Sequence, residues 1–240
     1  MNAGNLDGVL LVNKPRGITS HDVVAQLRSL LGIKKIGHVG TLDPMATGLL
    51  IILIGRTTKI SQYLVDLSKG YAGTMTLGIS TDSHDMEGMI LETHEVKNIT
   101  IEILKSLANE FLGDQYQIPP MFSAKKVNGQ KLYELARKGR TIDREPQFIH
   151  IDTFDIDNLH DNKANFFVHC TKGTYVRTLV NDFGIRLKCG AHLSQLCRTT
   201  IGDFSVNDAL TMEEINQTSI FELSKRLIPA YDVVPSQIIW

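Results

Sequence analysis

The feature that most constrains the fold is an apolar run, Leu49 to Ile54, that directly follows a glycine-rich polar segment, Gly37 to Gly48. Such a run is typical of a buried strand or of the start of a buried helix, and periodicity alone does not separate the two. In either case the polar segment leads directly into a core element, which predicts a loop held against the interior. Loops framed by buried elements commonly present functional groups.

This loop contains a single carboxylate, Asp43, with glycines on both sides and Pro44 immediately after it. The glycines permit a close backbone approach and positive φ, and Pro44 favours an extended backbone at Asp43. For an Asp–Pro turn taken alone, a cap on backbone amides is the preferred interpretation. The alternative is that the loop presents Asp43 as a reactive group, and the rest of the chain has to decide between them.

Composition is ordinary for a globular protein, with 42% apolar and 21% charged residues. The length permits one large α+β domain or two small ones. We expect no membrane span, because no apolar run is long enough, and no export signal at the amino terminus. The three cysteines form no close pair and the eight histidines lack metal-ligand spacing. We therefore predict a reducing cytoplasm, no disulfide framework and no metal.

Apolar periodicity predicts clusters of strands with interspersed helices, which favours the α+β class. One helix is predicted to begin at Thr19–Ser20 and end at Gly32, from its capping residues. The other predicted elements are strands at 8–12, 70–78, 148–154, 164–170, 193–200 and 203–205, a short helix or turn at 57–67, and helices at 100–111, 129–138, 178–187, from 212 and near 220–226.

Positive charge is concentrated between Ala124 and Arg144. The segment contains two acidic residues, Glu134 and Asp143, and seven basic residues, so it carries +5 in a chain of net charge −1. The basic residues are Lys125, Lys126, Lys131, Arg137, Lys138, Arg140 and Arg144. Such a patch can attract a polyanion. Taken alone, it is more simply interpreted as a solvated helical face.

Three further segments combine charged and aromatic residues: Lys69–Gly70–Tyr71, Cys170 to Thr178, and Gly190 to Arg198. A carboxylate, an arginine and two tyrosines can handle a flat polar substrate, because the arginine keeps the carboxylate ionised and a tyrosine face stacks on a ring. The alternative is that the tyrosines are half-buried packing residues and that Arg177 is a surface charge.

Together these segments resemble the TruB-type tRNA pseudouridine synthase family. The string Gly37 to Gly48 matches the motif that carries the family's catalytic aspartate, and Gly8 to Pro15 resembles its opening strand and Lys-Pro turn. Lys69–Gly70–Tyr71 with Leu77–Gly78, and Gly173 to Arg177, match its next two motifs. The segment from Pro119 to Arg144 is similar to the family's RNA-gripping thumb. The match runs in order from about residue 8 to about 230.

The resemblance implies an α+β pseudouridine synthase fold, with a central mixed, mostly antiparallel sheet flanked by helices and loops. Residues 1–230 would form the catalytic domain, with an RNA-binding thumb inserted at about 118–146. Residues 231–240 would be a short carboxyl-terminal tail. The family commonly carries a PUA domain there, and its expected absence indicates either a short natural form or a truncated one.

The resemblance also implies a cofactor-free isomerisation of uridine 55 in the tRNA T loop, on a flipped-out nucleotide. Asp43 would be the nucleophile, attacking either the ribose or the base. Arg177 would pair with Asp43, Tyr71 would stack on the uracil, and Tyr175 and Leu196 would shape the pocket. His38 would insert into the T loop, and Lys125, Lys126 and Lys131 would bind RNA. Lys14 and Pro15 would support the active-site loop.

Three alternatives remain at this point. A non-catalytic RNA-binding module would not need Asp43, Tyr71 and Arg177, and an unrelated glycosyl-transfer enzyme or hydrolase would generally need a second carboxylate near Asp43. Box H/ACA-guided relatives share the motifs but act at guide-selected sites. The thumb and the absence of a basic tail favour the stand-alone tRNA enzyme. We expect tRNA as the partner, no obligate protein partner and a monomer.

Overall fold

The computed structural model describes residues 6–127 and 129–234. Fourteen strands lie in this part of the chain: β1 (Gly8–Lys14), β2 (Ile36–Val39), β3 (Thr47–Ile54), β4 (Lys69–Leu77), β5 (Ile79–Thr81), β6 (Ile90–Thr93), β7 (Gly113–Gln117), β8 (Lys126–Val127), β9 (Gln130–Lys131), β10 (Gln147–His160), β11 (Lys163–Cys170), β12 (Ala191–Ile201), β13 (Phe204–Ser205) and β14 (Leu210–Thr211).

Eight α-helices lie in the same described ranges: α1 (Ser20–Leu31), α2 (Ser61–Val65), α3 (Ile101–Asn109), α4 (Leu132–Ala136), α5 (Val176–Arg186), α6 (Met212–Gln217), α7 (Ile220–Lys225) and α8 (Ala230–Val233). Short 3-10 helices precede α2 and β14. The chain forms two compact units, residues 1–70 with 197–240 (the first unit) and residues 71–196 (the second unit). Strands β4 and β12 contribute residues to both units.

The first unit is built on the sheet order β14-β1-β3-β12, with β2 added to β3 and β13 added to β12. The sheet is mixed, because β1 pairs antiparallel with β3 and parallel with β14. The apolar run Leu49–Ile54 lies in β3, so the strand interpretation is confirmed and the helical one is wrong. Its residues are almost fully buried. Pairing to β1 and β2 satisfies the backbone groups that this burial removes from water.

Helix α1 begins and ends where the sequence predicts. Thr19 and Asp22 form a reciprocal capping box. The Asp22 N–H donates to Thr19 Oγ1 at 3.0 Å, and the Thr19 N–H donates to Asp22 Oδ2 at 2.8 Å. Gly32 ends the helix in the left-handed conformation at φ 66°. The apolar face of α1 packs against the buried side chains of β1 and β3, which fixes the turn before α1 next to the loop that contains Asp43.

The second unit contains an antiparallel sheet in which β10 pairs with β11 on one side and with β7 on the other. Helices α3 and α5 are joined to this sheet by an aromatic cluster. The ring of Phe154 on β10 lies 6.2 Å from that of Phe111 and 5.5 Å from that of Phe183, and both contacts are edge-on. Helix α5, whose first turn carries Arg177, is thereby packed against the sheet.

The α+β class with a mixed sheet is confirmed. The helix predicted at 129–138 is wrong in its first part, because Gln130–Lys131 forms β9 and pairs with β8, and α4 begins only at Leu132. Among the strands that the sequence does not predict are β5, β6, β7, β8 and β14. The four residues of β6 are exposed, and Tyr116 on β7 is 75% exposed, so neither strand has the alternation of a half-buried strand with an apolar face. The tail at 235–240 lies outside the described residues.

Candidate functional site

In the first unit, Asp43 lies in the loop between β2 and β3, and the residues on both sides of it are anchored. Ser20 Oγ accepts from the Leu42 N–H at 2.8 Å and donates to the Leu42 carbonyl at 3.2 Å. The Gly17 N–H donates to the Pro44 carbonyl at 2.8 Å, and the Ala46 N–H donates to the Asp43 carbonyl at 3.1 Å. The loop is thus a fixed turn attached to the start of α1.

Lys14 lies below this loop and is completely buried. Its ammonium donates to the carbonyls of Ile18 at 2.8 Å, Pro15 at 2.9 Å and Pro44 at 3.4 Å. A buried ammonium needs such acceptors to offset its lost hydration. The contact with Pro44, next to Asp43, is what the predicted supporting role of Lys14 requires.

Arg198 is a second buried cation beside the loop, 1% exposed. Its Nε donates to the Leu49 carbonyl and one terminal nitrogen donates to the Gly40 carbonyl, both at 2.8 Å. Partial burial lowers the pKa of His38, and the Arg198 charge lowers it further. Nδ1 of His38 is buried and has no hydrogen-bond partner within the described ranges. Both effects on the pKa favour the neutral imidazole of His38.

In the second unit, Arg177 lies in the first turn of α5 and is 4% exposed, so its interpretation as a surface charge is wrong. Its guanidinium donates to Asp85 Oδ2 at 3.2 Å and to the carbonyls of Ser83 at 3.1 Å and Phe122 at 2.8 Å. These acceptors come from separate segments of the unit, so the guanidinium is held in one orientation.

Asp85 was not predicted as a site residue. It is 4% exposed, and its Oδ1 accepts from Ser83 Oγ at 2.6 Å and from the Glu87 N–H at 3.0 Å. Neighbouring His84 has a left-handed backbone at φ 64°, and desolvation together with the Arg177 charge lowers its pKa to about 4. The sequence gives only a polar segment at 80–88. Only the fold shows that Asp85 is buried against Arg177, which is distant in the sequence.

The other predicted residues of the second unit lie in or beside regular elements. Tyr71 on β4 is 7% exposed and Leu196 on β12 is 8% exposed. Tyr175 precedes α5, and its backbone is fixed by Gln117, whose Oε1 accepts from the Tyr175 N–H at 2.8 Å and whose Nε2 donates to the Tyr175 carbonyl at 3.1 Å. The tyrosine side chains are therefore presented from well-held backbone.

The predicted thumb has its own small apolar cluster, in which Met121, Leu132 and Leu135 are buried. Basic side chains lie on its exterior: Arg137, Lys138 and Arg140 are exposed, and the Arg137 guanidinium lies 5.5 Å from the ring centroid of Tyr133. The backbones of Lys126 and Lys131 are register partners in the β8–β9 hairpin. Cations and an aromatic ring on one small element suit contact with RNA.

The structure thus brings Lys14 and Pro15 together with the Asp43 loop in the first unit, and it holds Arg177, Tyr71, Tyr175 and Leu196 in the second unit. The convergence of Asp43 with Arg177 and Tyr71 stays a prediction.

Across residues 6–127 and 129–234, no group of three or more His, Cys, Asp or Glu residues is placed to hold a metal ion. In the same ranges, every helix is too short or too polar to cross a bilayer.

Two family models match the chain in succession. Residues 28–176 match the TruB family pseudouridylate synthase N-terminal domain, and residues 177–229 match the tRNA pseudouridylate synthase B C-terminal domain. A protein named tRNA pseudouridine synthase B from Opitutus terrae is 53% identical over 231 residues, which cover 96% of each chain. The protein of the same name from Stutzerimonas stutzeri is 45% identical over 213 residues, which cover 89% of this chain and 70% of that protein.

Solved structures show the same fold. A chain in the crystal structure of a Cbf5–Nop10–Gar1 complex superposes with a TM-score of 0.73 at 25% identity, over 95% of this chain and 61% of that chain. A chain in an archaeal box H/ACA Nop10–Cbf5 complex superposes with a TM-score of 0.68 over 93% of this chain and 60% of that chain. The chain spans about three fifths of the length of these structural relatives.

Proposed function

The chain belongs to the TruB family and is an isomerase that forms pseudouridine in tRNA, and on this basis we propose that it converts uridine 55 of the T loop with Asp43 as the nucleophile. The observation that carries the assignment of Asp43 is the anchoring of its loop. Leu42 is bonded to Ser20, and Pro44 is bonded to Gly17 and Lys14. A nucleophile has to be held close to its reacting geometry, because a small misplacement costs much of the rate.

Arg177 is the proposed partner that keeps Asp43 ionised. A carboxylate in a dry pocket stays charged only if a cation or several donors stabilise it. Arg177 suits this task because its guanidinium is buried and is oriented by Ser83, Phe122 and Asp85.

The proposed reaction conserves all atoms of the nucleotide. The bond from uracil N1 to ribose C1′ breaks, the uracil turns, and a bond from C5 to C1′ forms, while C5 loses a proton and N1 gains one. Because nothing is oxidised or reduced, the reaction needs no redox cofactor. The proposal includes two routes, attack by Asp43 on the ribose and attack by Asp43 on the base. Both routes need an ionised carboxylate. Tyr71 would stack on the uracil, with Tyr175 and Leu196 shaping the pocket.

Access to the nucleotide requires that it leave the stacked loop. His38 would enter the T loop beside the extracted nucleotide. Its lowered pKa favours the neutral imidazole, which can enter without desolvating a charge. The thumb, including Lys125, Lys126 and Lys131, would bind RNA phosphates. The cytoplasm is the proposed compartment and the monomer the proposed form.

The comparisons favour this function over the alternatives. A non-catalytic RNA-binding module would have no use for an arginine buried among three acceptors. The identity of 53% to a protein named tRNA pseudouridine synthase B is about twice the 25% identity to the chain from the Cbf5 complex. These values support a stand-alone tRNA enzyme over a guided one.

The proposal is tested with the purified full chain and a tRNA transcript labelled with tritium at uridine C5, with no added cofactor. Formation of pseudouridine releases that tritium, and we expect release equivalent to a single uridine. A transcript with cytidine in place of uridine 55 is the matched control and should release none. Release from the control would show that another uridine is the target, and no release from either transcript would refute the proposed function.

A further inference from the structure

We infer that Arg198 is a positioning residue for the proposed reaction, because it ties together the two ends of the loop that carries Asp43. The inference rests on the proposed function. The segment from Gly190 to Arg198 stands out in the sequence for its charged and polar residues, yet the resemblance gives no task to its arginine. The structure places this arginine at the base of the loop.

The contacts of Arg198 bracket Asp43. Gly40, immediately after β2, and Leu49, near the start of β3, lie on opposite sides of Asp43 in the sequence. Arg198 donates to both carbonyls at 2.8 Å, from two different nitrogens of one planar guanidinium. A planar group with donors in fixed directions sets the distance and the angle between the two acceptors.

The backbone at the loop ends is fitted closely around Arg198. On β12 its Cα pairs with that of Gly48. A Cβ at Gly48 would lie 2.3 Å from the Arg198 carbonyl oxygen, and a Cβ at Gly40 would lie 3.3 Å from a terminal nitrogen of the guanidinium. Both glycines have positive φ, 99° and 68°. Only glycine permits this approach without strain, so Gly40, Gly48 and Arg198 together form one closely packed anchor for the loop ends.

These anchors complement those near the tip of the loop. Ser20 and Lys14 hold Leu42 and Pro44, whereas Arg198 holds the points where the loop leaves β2 and enters β3. Burying a cation is unfavourable unless its donors find acceptors, and two acceptors of Arg198 are the carbonyls at the two ends of the loop. A buried arginine that bridges two backbone carbonyls is therefore better explained by geometry at Asp43 than by stabilisation of the core.

The test compares Arg198→Met and Arg198→Lys in the full chain. Steady-state tritium release gives kcat and KM, filter binding gives the Kd for tRNA, and circular dichroism gives the folded fraction. We expect Arg198→Met to remain folded, to bind tRNA as the unchanged chain does, and to lose on the order of 100-fold in kcat, the effect of displacing a reacting group by about 1 Å. Arg198→Lys keeps one charged donor and should recover part of the loss.

Arg28→Met is the matched control, because Arg28 also donates to a backbone carbonyl of β2, that of Ile36 at 2.6 Å, but at the end of the strand away from the loop. It should leave kcat unchanged. If Arg198→Met does not fold, Arg198→Lys alone decides: a folded lysine variant with reduced kcat and unchanged Kd supports the inference, and one with full kcat overturns it. A folded Arg198→Met with full kcat, or with kcat and tRNA affinity reduced together, also overturns it.

Failure of the inference and failure of the proposed function are distinguishable. If the unchanged chain releases tritium and the Arg198 variants do so equally well, only the positioning role is wrong. If the unchanged chain releases none, the proposed function is wrong. In that case amide hydrogen exchange of the peptide that contains residues 41–48 still shows whether Arg198 holds the loop. Arg198→Met should accelerate the exchange of this peptide, and Arg28→Met should not.

Discussion

The buried ion pair between Arg177 and Asp85 permits a quantitative prediction. The pair is 3.2 Å long, and the two side chains are 4% and 6% exposed. Asp85→Asn keeps the shape of the side chain and removes its charge. Breaking a buried pair from one side typically costs about 3–5 kcal/mol, because the other charge stays buried without its counter-charge. Two carbonyls, of Ser83 and Phe122, continue to accept from the guanidinium. We therefore expect a loss near the lower limit, about 3 kcal/mol.

For a chain of this length each kcal/mol of lost stability lowers the Tm by about 2–4 °C, so the variant should melt roughly 6–12 °C below the unchanged chain. Urea unfolding followed by circular dichroism gives the free energy directly. The control is Glu110→Gln, which breaks the exposed pair with Arg186, whose side chains are 64% and 59% exposed. Exposed pairs contribute less than about 1 kcal/mol. Equal losses for Asp85→Asn and Glu110→Gln would refute the reasoning from burial.

Three further outcomes are expected. Replacement of Lys125, Lys126 and Lys131 by Gln should weaken tRNA binding and reduce the slope of log Kd against log salt by roughly 2 if all three contact phosphates, whereas an unchanged slope would support the solvated-face interpretation. Thr19→Ala removes the N-cap of α1 and should lower the free energy of unfolding by about 1 kcal/mol in urea titrations, and no loss would show that the capping box is dispensable. The pKa of His84 is about 4 in the folded chain and near 6.5 in the unfolded chain, so between these pH values the unfolded chain binds more protons. The free energy of unfolding should therefore fall as the pH falls through this window. His84→Asn tolerates the positive φ and should flatten this part of the stability curve, and an unchanged curve would exclude His84 as its source.

The elements that could be predicted from the sequence are those with local signals. Helix α1 is an example, because Thr19, Asp22 and Gly32 are capping residues that act within a turn of their own position. The run Leu49–Ile54 remained ambiguous between strand and helix because the decision rests on pairing with β1, whose residues are distant in sequence. Strand β7 gives no signal because it lies at the edge of the sheet and its side chains are polar apart from Tyr116.

The candidate site divides in the same way. The role of Asp43 is predicted from a motif that lies within one loop, and the structure adds the anchors of that loop. Asp85 was missed because its importance depends on Arg177, which lies 92 residues further along the chain. Arg198 lies in a polar and charged segment of the sequence, but only the fold shows that its guanidinium reaches Gly40 and Leu49. Contacts between side chains and distant backbone leave no pattern in the sequence.

The central claim is that Asp43 is the nucleophile of a tRNA pseudouridine synthase, and Asp43→Asn tests it most directly. The asparagine has the same shape, so the loop held by Ser20, Gly17 and Lys14 should persist and tRNA should still bind. Turnover of uridine 55, measured beside tRNA binding on the same preparation, should fall by roughly 1,000-fold or more, as is usual when a covalent nucleophile is removed. Near-normal turnover by a folded Asp43→Asn that binds tRNA would contradict the account.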